Sequence, residues 1–130
     1  MEPQRIAALI DASPMNRGMV CSAWLENPRN IAIATGDNVV LFSLEAEGLC
    51  EFHWLDTPTR GRQAIDDTRA AMQQIFDTTT ARLIYGLVPS SHRASRIMAR
   101  WIGARFLREI QTEEGPCQIF VMTPEQLKGN

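Results

Sequence analysis

The sequence predicts a mixed α/β fold of the α+β class, with about six strands in a mostly antiparallel sheet, a central parallel pair and helices on both faces. Three observations predict it. The hydrophobic period changes from helical to alternating and back along the chain, giving the element order ααβββαβαββ. The strand runs of the first half are separated by tight-turn residues, which makes them antiparallel neighbours. In the middle of the chain a strand, a helix and a second apolar strand follow one another, and a crossover of that kind places its two strands parallel with a right-handed connection.

The first 27 residues carry helical periodicity interrupted at Ser13, Pro14 and Gly18, so two short helices are expected. The period then drops to two. "NIAIAT" (30–35) and "NVVLFSL" (38–44) flank Gly36, Asp37 and Asn38, and "LCEFHWL" (49–55) follows as a third strand. From Arg62 to about Thr78, Ile65, Met72, Ile75 and Phe76 recur at helical spacing beside Ala64 and Ala71. "RLIYGLV" (82–88) is apolar almost throughout, which marks a central strand covered on both sides. Ser90 and Ser91 are expected to cap the next helix, with Ala94, Ile97, Met98 and Trp101 as its buried stripe and Gly103 at its end. "RFLREIQT" and "CQIFVM" around "EEGP" close the chain as a hairpin.

A chain of 130 residues with 45% hydrophobic and 22% charged residues fits one domain spanning residues 1–130. No apolar run is long enough for a membrane span and the first residues lack a signal-peptide pattern, so a cytoplasmic protein is expected. Cys21, Cys50 and Cys117 show no paired spacing, which suggests neither a disulfide framework nor a cysteine metal site. A net charge of -2 gives no global attraction to nucleic acid. The series Arg93, Arg96 and Arg100 reads either as a solvated helix face or as a phosphate-binding stripe. Trp24, Trp54 and Trp101 suit a core or a homodimer interface equally. Serine nucleophile elbows, P-loops, HExxH and complete GxGxxG patterns are missing, which removes several enzyme classes.

Two places carry candidate chemistry. Strand alternation puts Glu51 and His53 on one face, close enough for proton transfer or for one to tune the other, or simply to solvate a half-wet face. Arg60 and Arg62 stand at a helix N-terminus that is already partly positive. An anion docked on the open backbone amides would draw both guanidiniums in, whereas pairing of Arg62 with Asp66, with Asp66 and Asp67 satisfying the helix end, would account for it without a ligand.

The element order, with "TRGRQAIDDTRAAMQQIF" (59–76) and "PSSHRASRIMARWIGARF" (89–106), resembles the GNAT superfamily of N-acetyltransferases, in particular small acetyltransferase-like proteins of tailed bacteriophages. The likeness runs over residues 18 to 122. It implies a GNAT-like fold and acetyl-CoA as cosubstrate. The family's (Arg/Gln)xxGx(Gly/Ala) phosphate motif falls on Arg60, Gly61, Arg62, Gln63, Ala64 and Ile65, with Gln63 and Ile65 where the family has small residues. Backbone near Leu55 and Thr57 would face the pantetheine arm, and His92 falls where the family often has an asparagine. The family's tyrosine acid falls on Ala99. Glu51 becomes the implied general base, with His53 second.

The resemblance therefore implies direct acetyl transfer from acetyl-CoA to an amine, a small molecule or a protein, in the cytoplasm of a host if the chain is phage-encoded. The alternative is a non-catalytic relative with a structural or host-interaction role, virion association included. A small nucleic-acid module ranks behind both.

Overall fold

The computed structural model describes Trp24 and residues 26–35, 38–54 and 61–129. Its elements are β1 (Asn30–Thr35), β2 (Asn38–Leu44), β3 (Leu49–Trp54), α1 (Arg62–Thr78), β4 (Leu83–Pro89), α2 (Arg93–Trp101), β5 (Arg105–Thr112), β6 (Gly115–Met122) and α3 (Pro124–Lys128). The two helices expected before residue 27 lie outside the described residues, apart from Trp24 and Glu26 in helical conformation. The turn residues Gly36 and Asp37 lie outside them too.

All six strands form one sheet in the order β1-β2-β3-β4-β6-β5. Five neighbour pairs need only four antiparallel contacts, because β3 and β4 run parallel across the α1 crossover. This is the GNAT fold. Alternation sets which side chains meet α1. Val40, Phe42 and Cys50 from the first strands join Ile84 and Met122 against Ala71, Met72, Ile75 and Phe76 of the helix. The Val, Ile, Phe and Met side chains among them each contribute about 1.5 to 3 kcal/mol when fully removed from water. Thr68 is buried in the same helix and satisfies its hydroxyl by donating to the Ala64 carbonyl at 2.8 Å.

The second helix differs from the expected phase. Its inward residues are Ser95, Met98 and Ala99, followed by Ile102, while Ala94 is exposed and Trp101 is 62% exposed. The reason is tertiary: α2 packs on the Met98–Ile102 side against the α1 core, and β5, an edge strand, gives Trp101 no cover. Neither serine caps the helix. The N-cap is His92, and the Ser90 hydroxyl donates instead to Glu109 on β5. Gly103 does end the helix, with φ 96° and the Ala104 amide returning to the Ala99 carbonyl. Arg69 of α1 donates to the carbonyls of Ile102 and Leu127, which ties α2 and α3 to the main helix.

The short α3 was not expected from hydrophobic period. Its signal is local: "TPEQ" places Thr123 and Gln126 in a reciprocal capping box with Pro124 at the first helical position.

Candidate functional site

The parallel strands β3 and β4 pair at Leu49–Leu83, Cys50–Ile84 and Glu51–Tyr85, and no further. Beyond that point Phe52 to Trp54 and Gly86 to Pro89 diverge. β4 stays zipped to β6 through Pro89, and β3 stays zipped to β2 through Trp54, so each wall of the gap is held by its own neighbour. The result is a cleft of about 610 Å³, lined from both sides of the sheet by Glu51, His53 and Tyr85 on one and Phe52, Ile84 and Met98 on the other. Trp24 also lines it, as does Ala99. The cleft opens at the carboxyl ends of the two strands, where ligands of such sheets bind.

Glu51 and His53 meet as expected: His53 Nε2 stands 3.0 Å from Glu51 Oε1. The His53 side chain is 31% exposed and that of Glu51 20%, so the pair is accessible from the cleft without being bathed in solvent. The hydrogen bond from His53 holds the Glu51 carboxyl below its usual range, against a burial effect that opposes it; the imidazole's charge and a hydrogen bond with Glu45 act in the same lowering direction. When Nε2–H of a neutral imidazole donates to the carboxylate, Nδ1 is its acceptor nitrogen.

Tyr85 is the site residue that hydrophobic period missed. It is the single tyrosine of the chain, set in an apolar run, and a hydroxyl in such a run was the available signal. Burial, then a hydrogen bond with Glu45 and the neighbouring carboxylates, push its phenol above the ordinary value, so it stays protonated. Glu45 reaches this group because it sits on the same face as Ser43 and Glu51, diagonal to Glu51 across β2 and β3.

The other expected residues lie at the two helix starts facing the open end. Gly61 is the N-cap of α1, with φ 67°, a conformation that favours glycine, and no side chain caps the helix. Among the described residues no side chain takes the amides of Arg62 and Gln63, which is the arrangement that suits an anion, while Ala64 behind them is buried. Arg62 pairs with Asp66, Nε to Oδ1 at 3.2 Å, but both side chains are largely exposed (86% and 55%), so the pair is a surface contact that a ligand can displace. Asp67 does not serve the helix end: it is buried and accepts from the Gln63 and Asn38 side chains. That contact places the first turn of α1 beside the start of β2, at the open end of the cleft. His92 is exposed at the start of α2, with its Nδ1 against the Ser95 hydroxyl, and Ser95 lines the cleft. Leu55, Thr57 and Arg60 lie outside the described residues.

The arginines of α2 do not form one uniform face. Arg93 and Arg100 are exposed, while Arg96 is half-buried. Among the described residues, no group of three or more His, Cys, Asp or Glu side chains could hold a metal ion, and no helix is long and apolar enough to cross a membrane.

No family model matches the sequence, and no curated protein matches it. The folded chain does match solved acetyltransferases. It superposes on the aminoglycoside acetyltransferase AAC(6')-Ib in complex with coenzyme A and kanamycin with a TM-score of 0.60 at 12% identity, over 72% of this chain and 63% of that one. It superposes on a variant of the spermidine N-acetyltransferase SpeG from Vibrio cholerae with a TM-score of 0.66 at 10% identity, over 82% and 72%. A probable acetyltransferase of the GNAT family from Chromobacterium violaceum gives 0.67 at 16% identity, over 82% and 63%. The chain spans about three fifths of the length of the aminoglycoside enzymes it matches. At these identities the likeness is one of fold.

Proposed function

We propose that the chain binds acetyl-CoA in the cleft between β3 and β4 and transfers the acetyl group to an amine. The observation that carries this reading is the end of the parallel pairing at Glu51 and Tyr85, beyond which the facing edges of both strands have no strand partner among the described residues and line a cleft. Such backbone is what an amide-bearing pantetheine arm can pair with. At the cleft's open end the uncapped start of α1, with Arg62 beside it, suits the pyrophosphate. Leu55, Thr57, Arg60, Gly61, Gln63 and Ala64 complete the proposed contact set, and His92 approaches from α2. The solved neighbours include structures with CoA or acetyl-CoA bound, which supports the choice of cosubstrate.

In this reading the acceptor arrives as an ammonium ion. The Glu51–His53 pair takes one proton from it, at His53 Nδ1 with Glu51 fixing the tautomer, or at Glu51 directly. The nitrogen then forms a bond to the acetyl carbon as the carbon–sulfur bond breaks, and the second amine proton ends on the CoA thiol. No covalent intermediate on the chain is needed.

Isothermal calorimetry with acetyl-CoA and CoA tests the first half, and a thiol-release assay over an amine panel tests the second. Absence of any heat or thermal shift at millimolar acetyl-CoA overturns the reading. A non-catalytic relative with a structural or host-interaction role is the second reading, favoured by Ala99, which lines the cleft with no proton to give. CoA binding with no turnover across the panel would select it.

A further inference from the structure

We propose that Asp67 is a positioning residue for phosphate binding at the start of α1, acting through Gln63. This rests on reading that helix start as the pyrophosphate site. Gln63 is the second residue of the helix, where a long side chain can fold back across the backbone amides of the first turn. It does not lie there. Its Nε2 donates to Asp67 Oδ1 at 2.7 Å, one turn further along the helix, so the side chain is drawn away from the helix mouth.

Asp67 can hold it because it is itself held. Its other oxygen accepts from Asn38 Nδ2 at 2.6 Å, at the start of β2, and the carboxylate is only 5% exposed. Burying a carboxylate is unfavourable unless hydrogen bonds replace its water, and the two amide donors do so here. Its negative charge opposes an anion one turn away, so what it offers the phosphate site is geometry. It clears Gln63 from the mouth and fixes the first turn of α1 to the β1–β2 end of the sheet.

The test is calorimetric binding of CoA and of pantetheine, which lacks the pyrophosphate, to the full chain and its variants. Gln63→Met keeps the length of the side chain but gives Asp67 no donor. It is expected to weaken CoA about tenfold, the loss of roughly one charge-assisted hydrogen bond, and to leave pantetheine unchanged. Asp67→Ala is expected to do the same in the wild-type background and to cost clearly less in a Gln63→Gly background, where no side chain needs holding and only the Asn38 anchor is left to lose. The Gln63 variants change an exposed residue and keep the buried carboxylate, so they remain informative if Asp67→Ala does not fold. CoA affinity unchanged in Gln63→Met, or an Asp67→Ala loss undiminished in the Gln63→Gly background, overturns the proposal alone. A wild-type chain that binds pantetheine and CoA equally overturns the pyrophosphate site and this proposal together, and one that binds neither overturns the cofactor reading as a whole.

Discussion

Glu51 and Tyr85 face each other as the last paired residues of the parallel strands, one on each side of the point where β3 and β4 part. Both lie on the face that carries His53 and Glu45. The neighbours oppose one another in effect: the carboxyl is held low by His53, and the phenol is pushed high by burial and by the carboxylates around it. At neutral pH the cleft therefore presents an anion and a neutral hydroxyl side by side.

If that anion is the base, Glu51→Gln lowers kcat by roughly 100- to 10,000-fold while KM for acetyl-CoA changes little, because the proposed contacts to the cosubstrate are strand backbone and the start of α1, not the Glu51 side chain. Steady-state kinetics on any accepted amine measures this. A parallel rise in KM for acetyl-CoA would instead assign Glu51 to binding.

Arg62→Ala separates the two accounts of the exposed cation. Loss of the surface pair with Asp66 is expected to change stability by less than about 1 kcal/mol. CoA affinity is expected to fall by about tenfold as a phosphate contact is lost. Denaturant melts and calorimetry give both values on one preparation, and equal CoA affinity in the variant would leave only the surface pair.

Gly86 stands just past the last parallel pair. A Cβ there would come within 3.2 Å of Phe52 Cδ1 on the opposite wall, a contact tighter than side chains normally tolerate. Gly86→Val is expected to displace the Phe52 ring from its edge contact with Phe42, costing about 1 to 3 kcal/mol, and to weaken CoA. Thermal melts with and without CoA report it, and a melt unchanged by the substitution would contradict the packing argument.

The lowered Glu51 carboxyl predicts the sign of one limb of the stability profile. A group whose folded pKa lies below its unfolded value, here 4.5, stabilises the fold above that value and loses its contribution as pH falls through the folded one. Urea melts from pH 6 to pH 3 are expected to show a shallower acid loss in Glu51→Gln than in the wild type. Identical slopes would mean that Glu51 titrates no differently in the folded chain.

Much of this was legible residue by residue. Alternation in "LCEFHWL" was enough to put Glu51 beside His53, because side chains two apart on a strand share a face whatever packs against it. Gly103 ended α2 because its left-handed backbone disfavours other residues. The phase of α2 was misjudged for the opposite reason: Trp101 and Ile102 are both apolar, and only the placement of β5 at the sheet edge decided which of them was covered. Ser90 looked like a cap until Glu109, nineteen residues away, came within reach of its hydroxyl.

The sequence by itself determined the order and type of the described strands and main helices, the parallel pair across α1 and the shared face of the candidate dyad, since all of these follow from periods and spacings along one stretch of chain. Tertiary structure alone decided that β3 and β4 part after Glu51 and Tyr85, that Glu45 and Tyr85 join the dyad, and that Asn38 and Gln63 converge on Asp67. The first two join residues of different elements, because β2 and β6 hold the outer edges of the two strands; in the third, helical spacing alone brings Gln63 to Asp67 and only the fold adds Asn38.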